Sequence, residues 1–262
     1  MPYIIGFLIA VFLFVITYFG KHLTLSGAVL VAMIVATFSF FSLWRMLILL
    51  LITYAVLMLI DKATRKIRDP VNNNILDKSG ARSAKQILAN GTIALISTVL
   101  FVITENRVFL ILFAVGVGET FADSIASDIG VLSKKIPRDI CTWKQITPGI
   151  SGGISSLGIA ASISASIVFG VFSYICIRTS VSESLIIMVF SFLGSIIDSL
   201  IGSRLQAKYQ CNVCKGFTEK KFHCEAQTNH IRGIKLMDNC AVNFHSNLIS
   251  CGLCLIWIWG GI

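Results

Sequence analysis

The chain has 262 residues, of which 55% are hydrophobic and 13% are charged, and its formal net charge is +9. Soluble domains carry about 25% charged residues, so this composition, with a mean hydropathy of +0.83, excludes a soluble globular protein. It indicates an integral membrane protein. In such a protein, positive charge reflects first which loops face the cytoplasm and only then the binding of an anionic ligand.

Eight apolar runs have lengths near the roughly 20 residues that a helix needs to cross a bilayer. They cover residues 3–20, 25–42, 44–60, 86–104, 108–127, 154–177, 184–203 and 239–259. Of the 22 Lys and Arg residues, 19 fall in the first, third, fifth and seventh connections between these runs. Because basic residues accumulate on the cytoplasmic side of a membrane, the sequence predicts an all-α polytopic membrane helix bundle of about eight transmembrane helices with both termini outside. Residues 1–262 form a single integral membrane domain, and no nucleic-acid partner is expected.

A polar stripe leads into the fourth predicted span. Arg82, Gln86 and Asn90 are spaced four residues apart, so a helix would place them on one face. Arginine with amides suits a phosphate group; the alternative is an arginine that reaches the membrane surface and two amides that bond neighbouring helices. The segment around the start of this stripe, residues 61–85, is predicted to be a solvated loop with short helical pieces.

The fifth predicted span ends in acidic residues. Glu119 and Asp123 share one helix face, and Asp128 lies on another. A carboxylate at this depth costs on the order of 3 kcal/mol unless a cation neutralises it, which favours a functional site over solvated carboxylates beyond a shorter helix. Asp198 repeats the pattern in the seventh span, where glycines one turn to either side leave space around its carboxylate.

A glycine-rich connection precedes the sixth predicted span. It carries Lys144, Pro148, Gly149, Gly152 and Gly153. Glycines let a backbone fold around an anion, and the N-terminus of the helix that follows offers free N–H groups and a positive dipole. The spacing is not that of a Walker A motif, and a flexible loop explains this segment equally well on its own. The carboxylates predicted at the same membrane face favour phosphate binding.

The eighth predicted span begins with a second polar stripe. Asp238 is followed by Asn239, Asn243 and Asn247 at helical spacing. Amides inside a membrane helix bond neighbouring helices or line a polar site. The acidic residue at the cytoplasmic end favours a site.

The predicted cytoplasmic loop of residues 204–236 is rich in cysteine. Cys211, Cys214, His223 and Cys224 are four soft ligands within fourteen residues, which fits a structural Zn²⁺ site with three thiolates and one imidazole. A reducing cytosol argues against disulfides, so free thiols are the alternative.

Several segments keep their order along the chain and carry a resemblance to a known family. They are residues 23–28 (LTLSGA), 86–91 (QILANG), 122–130 (ADSIASDIG) and 194–202 (GSIIDSLIG), with Pro137, Arg138, Pro148, Gly149, Gly152, Gly153, Asp238, Asn239 and Asn243. With these motifs the chain resembles the integral membrane family that contains transmembrane protein 19 and the plant chloroplast phytyl-phosphate kinase. The cysteine loop is similar to that of bacterial members, so the expected location is a bacterial plasma membrane. Asp128 stands where members more often have glutamate, and Glu119 stands where a small residue is expected.

That family is distantly similar to CTP-using lipid kinases, the phytol and dolichol kinases, in which an aspartate is followed by a loop with lysine and glycine and then by an acidic span. Asp123, residues 144–153 and Asp198 follow this order. The resemblance implies a prenyl-phosphate kinase. It would transfer the γ-phosphoryl group of CTP, or of another nucleoside triphosphate, to a membrane-embedded isoprenyl monophosphate such as phytyl or geranylgeranyl phosphate.

In this prediction Asp123, Asp128 and Asp198 hold Mg²⁺, since hard oxygen ligands suit that ion. Arg82 holds the acceptor phosphate. The remaining predicted residues bind the nucleotide: Lys144, Pro148, Gly149, Gly152, Gly153, Asn90, Asp238, Asn239 and Asn243. The partners are the nucleotide, the isoprenyl monophosphate and the membrane, with homo-oligomerisation left open.

Two other functions compete with this prediction. A lipid-phosphate flippase or an ion-coupled transporter would use the same residues, but should need polar positions through the whole bilayer depth. A scaffold stabilised by a zinc loop would leave Asp198 unexplained.

Overall fold

A computed structural model describes residues 2–75 and 80–260 of the protein. Within these residues, eight α-helices follow the eight predicted spans in order. They are α1 (Pro2–Phe19), α2 (Leu25–Phe40), α3 (Trp44–Ile75), α4 (Ala84–Thr104), α5 (Arg107–Gly130), α6 (Ser156–Ile177), α7 (Val181–Arg204) and α8 (Asn239–Gly260). By length and composition, α3 to α8 can each cross a membrane, and α1 and α2 are shorter apolar helices. The predicted polytopic helical bundle is confirmed.

Helix α5 is the centre of the bundle. Its residues from Leu110 to Val115 are at most 7% exposed, and it packs against α3, α4, α6, α7 and α8. At its N-terminal end, Arg107 forms a bidentate ion pair with Glu183 of α7, with N···O distances of 2.7 and 2.9 Å. Side chains that α5 carries into the interior are therefore surrounded by neighbouring helices.

Helix α3 continues beyond its apolar stretch. The segment that can cross a membrane is Trp44–Lys66, whereas the helix ends at Ile75 after 32 residues. An ion pair between Arg65 and Asp61, one turn apart and 2.6 Å long, supports the helix near the end of this segment. The predicted loop is therefore wrong for residues 61–75, which are helical. Residues 76–79 of that predicted loop lie outside the described residues.

Two small β-sheets lie at one end of the bundle, which we call the loop end. The first pairs β1 (Arg138–Asp139) with β2 (Gly153–Ile154) just before α6. The second lies between α7 and α8 and is an antiparallel sheet with the strand order β4-β3-β6-β5. Its strands are β3 (Lys208–Cys211), β4 (Phe217–Thr218), β5 (Phe222–His223) and β6 (Ala226–Arg232). This cysteine sheet occupies the predicted loop of residues 204–236, and its strands are an addition to the predicted all-α architecture.

Candidate functional site

A cavity of about 170 Å³ opens at the loop end, where α5 ends, α6 begins, α7 nears its end and residues 148–154 pass between them. Seven predicted site residues line it: Asp123, Pro148, Gly149, Gly152, Gly153, Asp198 and Asn239. Two of them, Asp123 and Asp198, are carboxylates from different helices, whereas the described residues that line the cavity include no Lys, Arg or His. The cavity therefore concentrates negative charge, which a bound cation or protons must balance.

Glu119 of α5 is an anchor between helices. It is 2% exposed, and its carboxylate accepts hydrogen bonds from Ser246 and from Asn247, both at 2.7 Å. Gly194 of α7 makes room for it, because a Cβ at that position would lie 2.2 Å from Glu119 Cγ. The space that the sequence suggested around Asp198 is thus filled by the side chain of Glu119.

Ser246 connects this anchor to the cavity. Its Oγ lies 2.7 Å from Glu119 Oε1 and 3.2 Å from Asp198 Oδ2. The Asn243 backbone carbonyl lies 3.0 Å from the same oxygen, and because a hydroxyl has one proton to donate, the two carboxylates and this carbonyl compete for a single donor. Sequence analysis missed Ser246, because a serine in an apolar helix gives no signal and its partners are 127 and 48 residues away.

The asparagine stripe of α8 divides between its two predicted roles. Asn239, at the start of the helix, lines the cavity. Asn247, two turns later, is 1% exposed and donates to the Gly116 carbonyl and to Glu119, both at 2.7 Å. One amide therefore serves the site, and the other bonds neighbouring helices.

Asn243 lies between these two and reaches both α4 and α7. Its side-chain amide is 2.7 Å from that of Asn90. An amide can be turned by 180° by exchanging its nitrogen and oxygen; with the amides of Asn243 and Asn90 both turned, the Asn243 nitrogen donates to the Asn239 carbonyl at 2.7 Å and lies 3.3 Å from Asp198 Oδ2. Asn90 is held in turn by Thr120, whose hydroxyl donates to the Asn90 carbonyl at 3.0 Å. Asn90 and Asn243 thus support Asp198 from outside the cavity lining.

The glycine-rich loop forms a further wall of the cavity. Gly149 and Gly152 have φ angles of +90° and +85°, in the left-handed region that favours glycine. Gly152 also lies against α7, since a Cβ there would come within 2.4 Å of the Ser203 Cα. The first turn of α6, capped by Ser155, borders the same cavity. The N-terminal end of α6, where the helix dipole is positive, therefore lies at the same cavity as the two carboxylates.

Besides Asn90 and Asn243, four residues predicted for the Mg²⁺ and phosphate site do not line this cavity: Arg82, Asp128, Lys144 and Asp238. Asp238 forms an ion pair with Lys85 at 2.6 Å and accepts the N–H of Ala241 in the first turn of α8. Lys144 is exposed, and Asp128 is half-buried on α5. The helical periodicity of the sequence had placed Asp128 on a different side of α5 from Asp123, and the structure keeps it there.

Arg82 lies in a different place from Asp123 and Asp198. It lines a second cavity, of about 160 Å³, with residues of the α1–α2 turn and of α3. Gln86, one turn later, accepts the Ser83 N–H at 2.8 Å as part of the capping box that begins α4. The predicted stripe is therefore not one continuous phosphate-binding face, and of its three members Asn90 alone reaches the side chains that support Asp198.

The four predicted zinc ligands converge beside the cysteine sheet. The ligand atoms of Cys211, Cys214, His223 and Cys224 all lie within 4.8 Å of one another. Across residues 2–75 and 80–260, this is the one group of three or more His, Cys, Asp or Glu side chains that meets this criterion. The three aspartates predicted for Mg²⁺ do not form such a group.

Comparison with known proteins places the chain in a family. Residues 8–251 match the family described as integral membrane protein DUF92. The chain belongs to this family. This confirms the family that its motifs predicted.

Two relatives match parts of the chain. Over 139 residues the chain is 30% identical to Protein PGR of Arabidopsis thaliana. The aligned region covers 49% of this chain and 47% of that protein. Over 127 residues the chain is 28% identical to Uncharacterized membrane protein MJ0933 of Methanocaldococcus jannaschii. This aligned region covers 48% of the chain and 52% of that protein. The chain thus spans about half the length of these curated relatives, and no solved structure matches it.

Proposed function

We propose that this protein is a Mg²⁺-dependent phosphotransferase that moves the γ-phosphoryl group of a nucleoside triphosphate, preferably CTP, to a membrane-embedded isoprenyl monophosphate. The supporting observation is that Asp123 and Asp198 line one cavity together with a glycine-rich loop and the N-terminal turn of α6. Carboxylates for Mg²⁺ and backbone N–H groups for phosphate oxygens are the main parts of a phosphoryl-transfer site. The choice of CTP and of a prenyl acceptor rests on the family resemblance.

The donor set of the cavity fits Mg²⁺. This ion is usually held by one or two carboxylates together with waters and substrate phosphates. Asp123 and Asp198 would supply the carboxylates, and Asn239 an amide oxygen. When bound, the metal would supply charge neutralisation for the phosphate groups. Because the described lining residues include no basic side chain, a triphosphate depends on that neutralisation more than it would in a site with lysine or arginine.

The protein residues would bind and orient the reactants. The first turn of α6 and the glycines Gly149 and Gly152 of the loop would donate N–H groups to the donor phosphates. A phosphate monoester has a second pKa of about 6, so the acceptor is already an anion at pH 7 and needs no strong general base. Rate enhancement would come from in-line positioning and charge neutralisation.

A transporter is the second candidate, because two carboxylates at a cavity also suit a transported cation. The far half of the bundle argues against it. The residues of α5 from Leu110 to Val115 are apolar and buried, and beyond them Arg107 and Glu183 join α5 to α7. A cavity that is polar at one end and backed by packed apolar side chains suits an enzyme that opens to one side of the membrane.

The experiment is a transfer assay with the purified protein in detergent, using Mg²⁺, labelled CTP or ATP, and phytyl, farnesyl or geranylgeranyl monophosphate. We expect a labelled prenyl diphosphate whose formation stops on chelation and falls by about 100-fold or more in Asp123→Asn and Asp198→Asn. Glu105→Gln removes an exposed carboxylate at the C-terminal end of α4, at the opposite end of the bundle, and is the charge-matched control. Absence of transfer with every nucleotide and acceptor, together with uptake of a cation into proteoliposomes that depends on Asp123, would replace the enzyme with a transporter.

A further inference from the structure

The cysteine sheet brings three thiols and an imidazole to one point. His223 Nδ1 lies 3.5 Å from the Cys214 sulfur and 3.2 Å from the Cys224 sulfur. Zinc–sulfur bonds of about 2.3 Å and zinc–nitrogen bonds of about 2.0 Å in a tetrahedron require ligand atoms roughly 3.5–3.8 Å apart. The observed spacing therefore leaves room for one metal ion at the centre. We propose that Cys211, Cys214, His223 and Cys224 bind one Zn²⁺. The bound metal stabilises the cysteine sheet, and the sheet in turn places Glu219 against the glycine-rich loop.

The backbone shows how adjacent residues can both be ligands. His223 pairs with Ala226 across β5 and β6, so the two-residue turn between them is Cys224-Glu225. Both turn residues have positive φ angles, +50° and +58°, in a region that costs free energy for any residue with a Cβ. The turn places the Cys224 sulfur 3.2 Å from His223 Nδ1. Metal ligation explains why the chain keeps this conformation without a glycine.

The first pair of ligands is held by a similar turn. After Cys214, Lys215 has a φ of +58°, and its N–H donates to the Cys211 carbonyl at 3.1 Å. The N–H of Val213 lies 3.4 Å from the Cys211 sulfur, which orients that sulfur toward the other ligands.

The ligand set identifies the metal class. Three thiolates with one imidazole in a closed tetrahedral site suit Zn²⁺, because soft sulfur ligands exclude Mg²⁺ and Ca²⁺. The four ligands come from two strands and the turns that follow them: Cys211 ends β3, Cys214 follows it, His223 ends β5 and Cys224 follows it. A metal bound there would tie together strands that are too short to be stable alone.

Glu219 joins this sheet to the cavity. It follows β4 directly and is 8% exposed. Its carboxylate accepts the Ser151 N–H at 2.8 Å and the Gln206 amide at 2.7 Å, while Lys208 of β3 donates to the Ser151 carbonyl at 2.9 Å. Burial raises the pKa of the Glu219 carboxyl, and the hydrogen bonds from Ser151 and Gln206 oppose that rise.

Both backbone groups of Ser151 are therefore held by the cysteine sheet. Ser151 lines the cavity between Gly149 and Gly152, so these two hydrogen bonds fix the middle of the glycine-rich loop. β3 carries the ligand Cys211 and Lys208, and it pairs with β4, which Glu219 follows. Glu219 is thus a positioning residue, and its role can be measured without any transfer activity.

The first test is the metal content of the full-length protein purified in detergent without chelators. We expect about one zinc per chain, and after exchange with Co²⁺ the absorption bands of tetrahedral thiolate ligation. Cys214→Ser and His223→Ala should lose most of the metal, whereas Cys176→Ser, in α6, should keep it. Protein that contains no zinc and takes none up, or a Cys214→Ser variant with full metal content, would overturn the site.

The second test is hydrogen exchange of the backbone amides of residues 148–153. Removing zinc from the wild-type protein, or the substitution Glu219→Ala in zinc-loaded protein, should speed exchange of the Ser151 amide by about tenfold or more, because the acceptor of its N–H is lost. Glu219→Ala should retain its zinc, and Glu225→Ala, in the turn between β5 and β6, should leave exchange unchanged. Zinc that binds and can be removed without any change at residues 148–153 would refute the coupling and leave the proposed transfer reaction untouched.

Discussion

The Ser246 hydroxyl of α8 lies 3.2 Å from the Asp198 carboxylate of α7. Ser246 is fully buried, and the same oxygen contacts Glu119 of α5. A buried serine of α8 thus contacts a carboxylate of α7 that lines the cavity. In the proposed site this hydroxyl would keep one Asp198 oxygen directed away from the metal and leave the other available.

Replacing this hydroxyl tests that role. Ser246→Ala should weaken the apparent affinity for Mg²⁺ in the transfer assay by about 10–100-fold, the range found when an outer hydrogen bond to a metal ligand is lost. At saturating Mg²⁺ the rate should recover most of its value. Ser250→Ala is the matched control, because Ser250 is equally buried one turn further along α8 and donates to the Phe190 carbonyl instead. An equal Mg²⁺ dependence in the two variants would contradict the assignment.

Glu119 should be required for stability rather than for transfer. In Glu119→Gln the amide nitrogen can face Ser246, whose hydroxyl can accept as well as donate, and the amide oxygen can still accept from Asn247. We therefore expect near-normal thermal stability and activity. Glu119→Ala leaves buried donors without an acceptor, at a cost of about 1–3 kcal/mol for each, and should lower the unfolding temperature in detergent. Loss of transfer in a stable Glu119→Gln protein would instead make this residue part of the metal site.

Sequence patterns identified residues whose chemistry is unusual for their position. Asp123 and Asp198 are charges at the ends of apolar runs, and the structure places both at one cavity. Cys211, Cys214, His223 and Cys224 are close in sequence and close in space. In both cases the signal was local, since the cost of burying a charge and the softness of a thiolate can be assessed without the fold.

Other site residues could not be found in this way. Ser246, Glu219 and Ser151 are ordinary residue types, and each matters through a partner at least 48 residues away. Arg82 shows the opposite error: helical spacing grouped it with Asn90, but spacing fixes only the angular position of a residue that belongs to the helix. Arg82 precedes α4 and bonds through its backbone to the α1–α2 turn, where its N–H donates to the His22 carbonyl.

The glycine-rich loop should tolerate no side chain at Gly152. A Cβ there would lie 2.4 Å from Ser203 Cα, and the φ of +85° adds strain. Gly152→Ala should therefore displace the loop from α7 and lower nucleotide binding and transfer by about tenfold or more, since each 1.4 kcal/mol of lost interaction is a factor of ten. Gly91→Ala, in α4, meets no atom within 4 Å and should retain activity. The measurement is nucleotide affinity by isothermal titration with the two variants side by side, and equal affinities would mean that the loop does not contact the nucleotide.

The final prediction concerns the two basic residues that the structure places outside the cavity. Arg82 lines the second cavity, and Lys144 is exposed. Each substitution to Gln should change transfer by less than about threefold, the range of changes at positions that do not contact the reactants. Separate measurements of KM for nucleotide and for prenyl phosphate make the test sharper. A rise of tenfold or more in KM for the prenyl phosphate alone, in Arg82→Gln, would mean that the acceptor phosphate binds in the second cavity. The proposed site would then extend from Asp123 and Asp198 to the α1–α2 turn, and the sequence-based assignment of Arg82 would be restored.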